Sequence, residues 1–315
     1  MAESSLTVKS SQNNSASKSQ DTRSLQQLAS SYLELCKPKV VLVMLITALV
    51  GMLLALKSTP TLNQISQILF GLIGIALCAG ASAVVNHVVD QLRDQRMQRT
   101  KRRPIATGTI NSKQALTFAS LLVSLGSLIL YQINPLCLAL TLFATIGYAI
   151  IYTLILKPIT PQNITIGGLA GALPPLLGWT VITPTISAEA LLLVLIIFTW
   201  TPPHFWALAL YRSDDYQKAQ VPMLPVTHGH YFTKLHILLY SVLLVLSTTL
   251  PWIMQFSGWV YLIAISWLNL RFMHMAWQLY KSEDHALAPG LFRYSIKYLL
   301  LLFGWILIDR FIFMI

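Results

Sequence analysis

Acid is scarce in this chain. It has 11 Asp and Glu among 315 residues, against 22 Lys and Arg, so only 10% of residues are charged, where soluble domains carry about a quarter. That shortage excludes an ordinary soluble globule. With 55% hydrophobic residues and a mean hydropathy of +0.63, the composition is that of a polytopic membrane protein. Cysteine is nearly missing too. Cys36, Cys78 and Cys137 form no CxxC pair, which excludes a disulfide framework and a thiolate zinc site and leaves them as packing residues. The first 31 residues hold ten Ser and lack the apolar stretch of a secretory signal. They read as a disordered cytoplasmic tail. Glu3 and Asp21 beside Lys9, Lys18 and Arg23 make them too acidic for a mitochondrial transit peptide. The net charge of +11 would suit a nucleic acid, but the cations fall in the loops of a membrane chain. Orientation accounts for them there, so no nucleic-acid partner is expected.

What is present is apolar length. Runs near the roughly 20 residues needed to cross hydrocarbon occupy 39–57, 66–89, 115–132, 136–156, 164–182, 189–210, 233–254, 258–280 and 291–313. An unpaired backbone in lipid permits only helices for such runs. The expectation is an all-α fold: residues 32–315 as nine transmembrane helices bundled around a cavity open to the cytoplasmic leaflet. With the N-terminus cytoplasmic, the cations gather on that side, seven of them between Arg93 and Lys113, leaving Lys57 and Arg310 opposite. The reading is therefore an inner (plasma) membrane protein with its C-terminus on the far side, in contact with membrane lipid. The unusual polar loops, 91–114, 157–163 and 211–232, all share the cytoplasmic face.

The second run ends in NHVVDQLRD, residues 86–94, which places Asn86, Asp90 and Asp94 four apart on one helical face. Amide and carboxylate oxygens are hard ligands, and Mg²⁺ binds through one or two carboxylates plus substrate phosphates. The stripe is thus either a platform for a magnesium-bridged diphosphate or a solvated helix end paired with Arg93 and Arg96. RTKRRP, residues 99–104, follows with Arg99, Lys101, Arg102 and Arg103. Those cations suit a site that holds both a metal and a polyanion.

Tyr152 and Lys157 close the fourth run, where the lysine either snorkels or binds phosphate. Asn163 opens the fifth, ahead of GGLAGALPP, residues 167–175. Its glycines permit close helix approach, and Pro174 and Pro175 should kink the helix. In TWTPPHFWALALYRSDDY, residues 199–216, His204 lies inside the span as either a functional or a hydrogen-bonded structural histidine. Arg212, Asp214 and Asp215 emerge at its cytoplasmic end, with Tyr216 beside them. A transporter would bury charges at mid-depth on several helices, whereas these acids collect at helix ends.

Together, NHVVDQLRD with RTKRRP, then YTLILKPITPQNITIGGLAGALPPLLGW and WTPPHFWALALYRSDDYQKAQVPMLP, resemble the protoheme IX farnesyltransferases (heme O synthases) of the UbiA-type intramembrane prenyltransferase family. The resemblance runs from about Leu35 to the C-terminus. It implies farnesyl diphosphate bound through magnesium on Asn86, Asp90 and Asp94, with Asp215 marking the second acidic site. It also implies farnesyl transfer to the 2-vinyl group of heme B with addition of water, giving heme O. A heme A synthase or a terminal oxidase would receive the product. Asp90, Asp94, Lys157 and Arg212 are the expected catalytic residues. Asn86, Arg99, Lys101, Arg103, Tyr152, Asn163, His204, Asp215 and Tyr216 are the expected substrate contacts. Two positions depart from the family pattern: Leu92 replaces a frequent acid, and Tyr211 stands four before Asp215 where the superfamily has aspartate. A quinone-precursor prenyltransferase would share the diphosphate site, and the WTPPHFWALALYR block distinguishes the heme reading from it.

Overall fold

The computed structural model describes residues 25–313, so most of the expected tail, 1–24, lies outside the described residues. Its last part does not: 25–35 form helix α1, because Leu28, Tyr32 and Leu35 recur at helical spacing and Tyr32 and Leu35 pack against Ala81 and Ala115. The helical chain therefore starts before residue 32. Then come α2 (Pro38–Ala55), α3 (Leu62–Val89), α4 (Gln91–Arg96), α5 (Ser112–Ile133), α6 (Pro135–Ile159), α7 (Asn163–Ile182) and α8 (Ala188–Tyr211). They are followed by α9 (Ser213–Lys218), α10 (Leu224–Thr227), α11 (Gly229–Ile253), α12 (Trp259–Lys281) and α13 (Ala288–Phe313). No strand occurs among the described residues.

Eight of these helices, α2, α3, α5, α6, α7, α8, α11 and α13, are long and apolar enough to cross a membrane among the described residues. The run expected at 258–280 is α12, a helix of 23 residues that packs between α11 and α13. Asn269, Arg271, His274 and Gln278 keep it below the apolarity of the other eight, so eight of the nine expected spans are present by length and composition among the described residues.

The local sequence accounts for the boundaries. Thr61 and Gln64 make a capping box that starts α3, and Asn111 and Gln114 make another that starts α5. Asn134 accepts the Cys137 N–H at 2.7 Å to start α6. α7 breaks at Leu173, ahead of Pro174 and Pro175, as a proline pair requires. Below that break α7 touches α2 backbone to backbone, because Gly51 and Gly178 carry no side chain there. α8 is buried on nearly every side and forms the axis of the bundle.

α12 takes its N-terminal cap from another helix. Buried Asp309 of α13 accepts the backbone N–H of Gly258 and, at 3.0 Å, that of Tyr261. Replacing it removes a cap and leaves two buried donors unpaired. Asp309→Ala should therefore cost about 2 kcal/mol or more, read as a lowered melting midpoint in detergent at unchanged substrate affinity.

Candidate active site

The acid stripe straddles a break in the helix. α3 stops at Val89 because Asp90 leaves helical geometry (φ −84°, ψ 2°), yet the bonds Asp90 N–H to Asn86 carbonyl (3.0 Å) and Asp94 N–H to Asp90 carbonyl (2.8 Å) carry the four-residue register across it. Asn86, Asp90 and Asp94 therefore keep one face, and all three are buried, at 3%, 1% and 4% exposure. They point into the bundle, not to solvent. That burial speaks against a solvated helix end, while the pairing of Asp90 with Arg93 that went with it is present.

Each carboxylate is held by cations. Lys157 of α6 donates to Asp90, and Arg93 reaches its other oxygen at 3.2 Å. Arg103, returning from the loop, contacts both oxygens of Asp94 at 2.9 and 2.7 Å. Asn86 donates to Asp90 at 2.9 Å and to the Thr153 hydroxyl at 3.3 Å, while Lys37 donates to the Asn86 amide oxygen and to the Tyr148 hydroxyl. The result is four cations, Lys37, Arg93, Arg103 and Lys157, around two carboxylates. Burial alone would raise the Asp90 carboxyl. The charge and hydrogen bond of Lys157, the hydrogen bond of Arg93 and the charge of Lys37 outweigh it and hold Asp90 below the usual carboxylate range. Lys37 is shifted against its charged form instead. Burial first and then the Arg103 guanidinium lower its ammonium to about 7, and Asp90 and Asp94 offset only part of this. Four part-buried cations against two carboxylates leave a surplus of positive charge that an anion would complement.

Two local distortions build this geometry. From Gly147 to Leu156, α6 is a π-helix, a form frequent at functional sites. The Thr153 hydroxyl bonds the Tyr148 carbonyl at 2.7 Å, and the widened turns bring Thr153 and Lys157 to α3. Lys37, ahead of Pro38, has left-handed backbone angles (φ 51°, ψ 57°). This costs a side-chain-bearing residue about 1–2 kcal/mol and aims the ammonium into the site. Lys37, Tyr148 and Thr153 were not expected from the sequence, where Lys37 counts as an orientation charge. The one signal for it is its position before a proline that starts a span.

Of the other expected residues, Tyr152 stacks on Tyr148 with ring centroids 5.4 Å apart and covers Gly167. Asn163 is fully buried; its amide nitrogen donates to the Thr160 carbonyl at 2.6 Å and its amide oxygen has no partner. Tyr216 is buried, which raises its phenol, with Arg99 and Arg103 pulling the other way. Arg99 and Lys101 are exposed. Arg212 does not join the acid stripe: it lies over the Tyr211 ring at 4.7 Å and pairs with Asp215 at 3.8 Å. No group of three or more His, Cys, Asp and Glu that could hold an ion exists among the described residues, so Asp215 is not assembled with Asp90 and Asp94. His204 stacks between Trp200 (4.2 Å) and Phe292 (4.6 Å), and its Nδ1 lies 2.6 Å from the Ser295 hydroxyl. Those contacts are what a buried packing histidine has.

The oxygens of Asn86, Asp90 and Asp94 fit Mg²⁺ of the kind that completes its shell with phosphate and water, which does not need an all-protein cage. A diphosphate suits the surrounding cations.

The chain is similar to known proteins over most of its length. The UbiA prenyltransferase family profile matches residues 44–305. Among curated relatives, "Protoheme IX farnesyltransferase" of Marinobacter nauticus is 54% identical over 90% of this chain and 93% of its own, and that of Azotobacter vinelandii is 55% identical over 89% and 93%. Among solved structures, a digeranylgeranylglyceryl phosphate synthase superposes with TM-score 0.74 at 20% identity, covering 90% of this chain and 98% of that one. A UbiA homolog from Archaeoglobus fulgidus bound to GPP and Mg2+ gives 0.64 at 17%, covering 88% and 99%.

Proposed function

The chain belongs to the UbiA prenyltransferase family, and from that membership we propose that it converts heme B to heme O, with farnesyl diphosphate as donor. The observation that carries this reading is the surplus of part-buried cations around the buried Asn86, Asp90 and Asp94, an arrangement suited to a diphosphate. Relatives about 54% identical that bear the farnesyltransferase name support heme as the acceptor.

In this reaction the bond from farnesyl C1 to oxygen breaks, and the electron pair leaves with the diphosphate. The terminal carbon of the 2-vinyl group forms the new bond to C1. Water adds to the carbon next to the porphyrin and loses a proton, giving the hydroxyethylfarnesyl side chain. Charge on the departing diphosphate is the largest demand, and donors fixed in advance meet it best. Lys157, Arg103 and Lys37 can each turn from a carboxylate or amide toward phosphate oxygens. Exposed Arg99 and Lys101, with Arg212, are the cations that would draw the diphosphate in from outside. Magnesium, held by Asp90 and Asp94 with the Asn86 amide oxygen, would supply two further positive charges there. Tyr152, Asn163 and Tyr216 line the approach, and apolar walls keep water from the allylic cation until the acceptor is seated.

The same reading takes α12 as a ninth span, a cavity opening on the acid face, and that face with the N-terminus as cytoplasmic at the plasma membrane. A heme A synthase or terminal oxidase would take the product. The deciding assay offers purified protein labelled farnesyl diphosphate with either heme B or 4-hydroxybenzoate. Label in heme O supports the proposal; label in the benzoate alone, or movement of label across a vesicle without product, rejects it.

Lys37 should act on binding. Lys37→Ala is expected to raise the KM for farnesyl diphosphate about tenfold, the loss of one charge-assisted hydrogen bond, with kcat changed far less. Steady-state kinetics at fixed heme check this.

A further inference from the structure

The helix that falls short in apolarity does not keep its polar residues inside. Asn269 is buried and bonded to Thr248 and Tyr298, but Arg271, His274 and Gln278 of α12 are exposed. On the adjoining α13, Arg293 and Lys297 are exposed one turn apart. Gln278 and Arg293 line one pocket of about 260 Å³ at the α12–α13 hairpin, which puts these two residues on a common outer face. The Arg271 guanidinium lies 5.0 Å from the ring centre of Tyr294, the neighbour of Arg293. None of Arg271, Arg293 and Lys297 pairs with a carboxylate among the described residues.

With α12 taken as the ninth span, as proposed above, depth makes this unusual. Arg271 precedes Lys281 by 10 residues and Lys297 follows Ala288 by 9, which is about 15 and 14 Å of helix, near the middle of a hydrocarbon layer of about 30 Å. Snorkelling recovers only part of that distance, and orientation bias concerns cations outside the span, not within it. An anion is the natural complement. A second copy of this chain cannot supply it. The acids in the membrane-crossing helices are Glu189, in the first turn of α8, and Asp309, buried on the cap of α12. Exposed Trp267 and Leu270, next to Arg271, and Trp277, next to Gln278, supply apolar surface for acyl chains beside the cations.

We propose that this outer face of α12 and α13 is a binding site for an anionic phospholipid, whose phosphate is drawn in among Arg271, Arg293 and Lys297 while its chains lie along Trp267 and Leu270. Arg293, five residues after Ala288, lies about 8 Å into the span, and the long side chains of Arg271 and Lys297 reach up toward it, so the phosphate sits on the headgroup side of the layer, where basic pockets between membrane helices are the expected receptors for such lipids.

The test is retention from vesicles of phosphatidylcholine containing a minor fraction of phosphatidylglycerol, with bound phospholipid counted by native mass spectrometry after mild solubilisation. The wild-type protein should carry phosphatidylglycerol well above its share of the vesicle. The Arg271→Gln, Arg293→Gln, Lys297→Gln triple variant should lose about two orders of magnitude of that preference, the effect of three cations near a lipid surface. The charge-keeping set Arg271→Lys, Arg293→Lys, Lys297→Arg should retain it, which separates lost charge from lost fold. Equal retention of both lipids by the wild type, an unchanged preference in the glutamine variant, or an acidic membrane protein held there in place of lipid would overturn the proposal.

Discussion

Asp90→Asn should lower heme O formation by about two orders of magnitude or more, the cost of removing one preorganised electrostatic element from a charge-stabilised reaction. Size and shape are kept, so the helix break at Asp90 and its backbone bonds to Asn86 and Asp94 persist. What is lost is one negative charge at the point where Lys157, Arg93 and Asn86 meet. Lys157 then faces an amide, the cation surplus grows, and the hard ligand proposed for magnesium weakens. Diphosphate binding should fall less than turnover, because the extra positive charge still attracts the polyanion. The measurement is product formed per minute by purified variant with saturating farnesyl diphosphate and heme, alongside its melting midpoint. Near-normal turnover would remove Asp90 from the reaction centre and with it the role given to the whole stripe.

Gly178→Leu should abolish recovery of folded protein. A Cβ at Gly178 would sit 1.9 Å from the Ala48 carbonyl oxygen, and one at Gly51 would sit 2.0 Å from the Pro175 carbonyl oxygen, whereas real Cβ contacts essentially never fall under 3.0 Å. Both obstacles are backbone, so no rotamer change relieves them, and overpacking here should cost more than about 3 kcal/mol. Even Gly178→Ala should separate α2 from α7. Lys37 rides on the first residue before α2, so a milder variant that still folds should show a raised KM for farnesyl diphosphate together with its loss of stability. Gly171, with no atom within 4 Å of a built Cβ, provides the contrast: Gly171→Ala should leave both quantities nearly unchanged. Size-exclusion profiles and thermal melts of the three variants in one detergent decide the matter.

Apolar length was enough to place eight crossing helices, because a lipid-facing segment must be long and unbroken whatever it packs against. It was a poorer guide for Trp259–Lys281, whose polar residues are partly a buried network with Thr248 and Tyr298 that only the fold reveals. Four-residue spacing correctly put Asn86, Asp90 and Asp94 on one face, since the register survives the break at Asp90. Arg103 and Lys157 were expected as substrate-contacting and catalytic residues, and their pairing with Asp94 and Asp90 is visible only in the fold. Lys37 and Thr153 stayed hidden, because their roles depend on a left-handed residue and on a π-helix, neither of which leaves a periodic trace. His204 and Arg212 looked equally functional by residue type. In the fold His204 meets Ser295 and Trp200, and Arg212 meets Asp215, contacts that residue type alone does not foretell.

The π-helical stretch of α6 sets a rule about length. Its exposed Ile150, Ile151, Leu154 and Ile155 can be exchanged for other apolar residues, since lipid asks only that they be greasy. Deleting any one of them is another matter. A tightened helix would swing every later side chain by about 100°, turning the Lys157 ammonium away from Asp90. Homologous chains should therefore drift freely in the identity of these four positions while preserving their number, and a single-codon loss there should silence the enzyme without unfolding it.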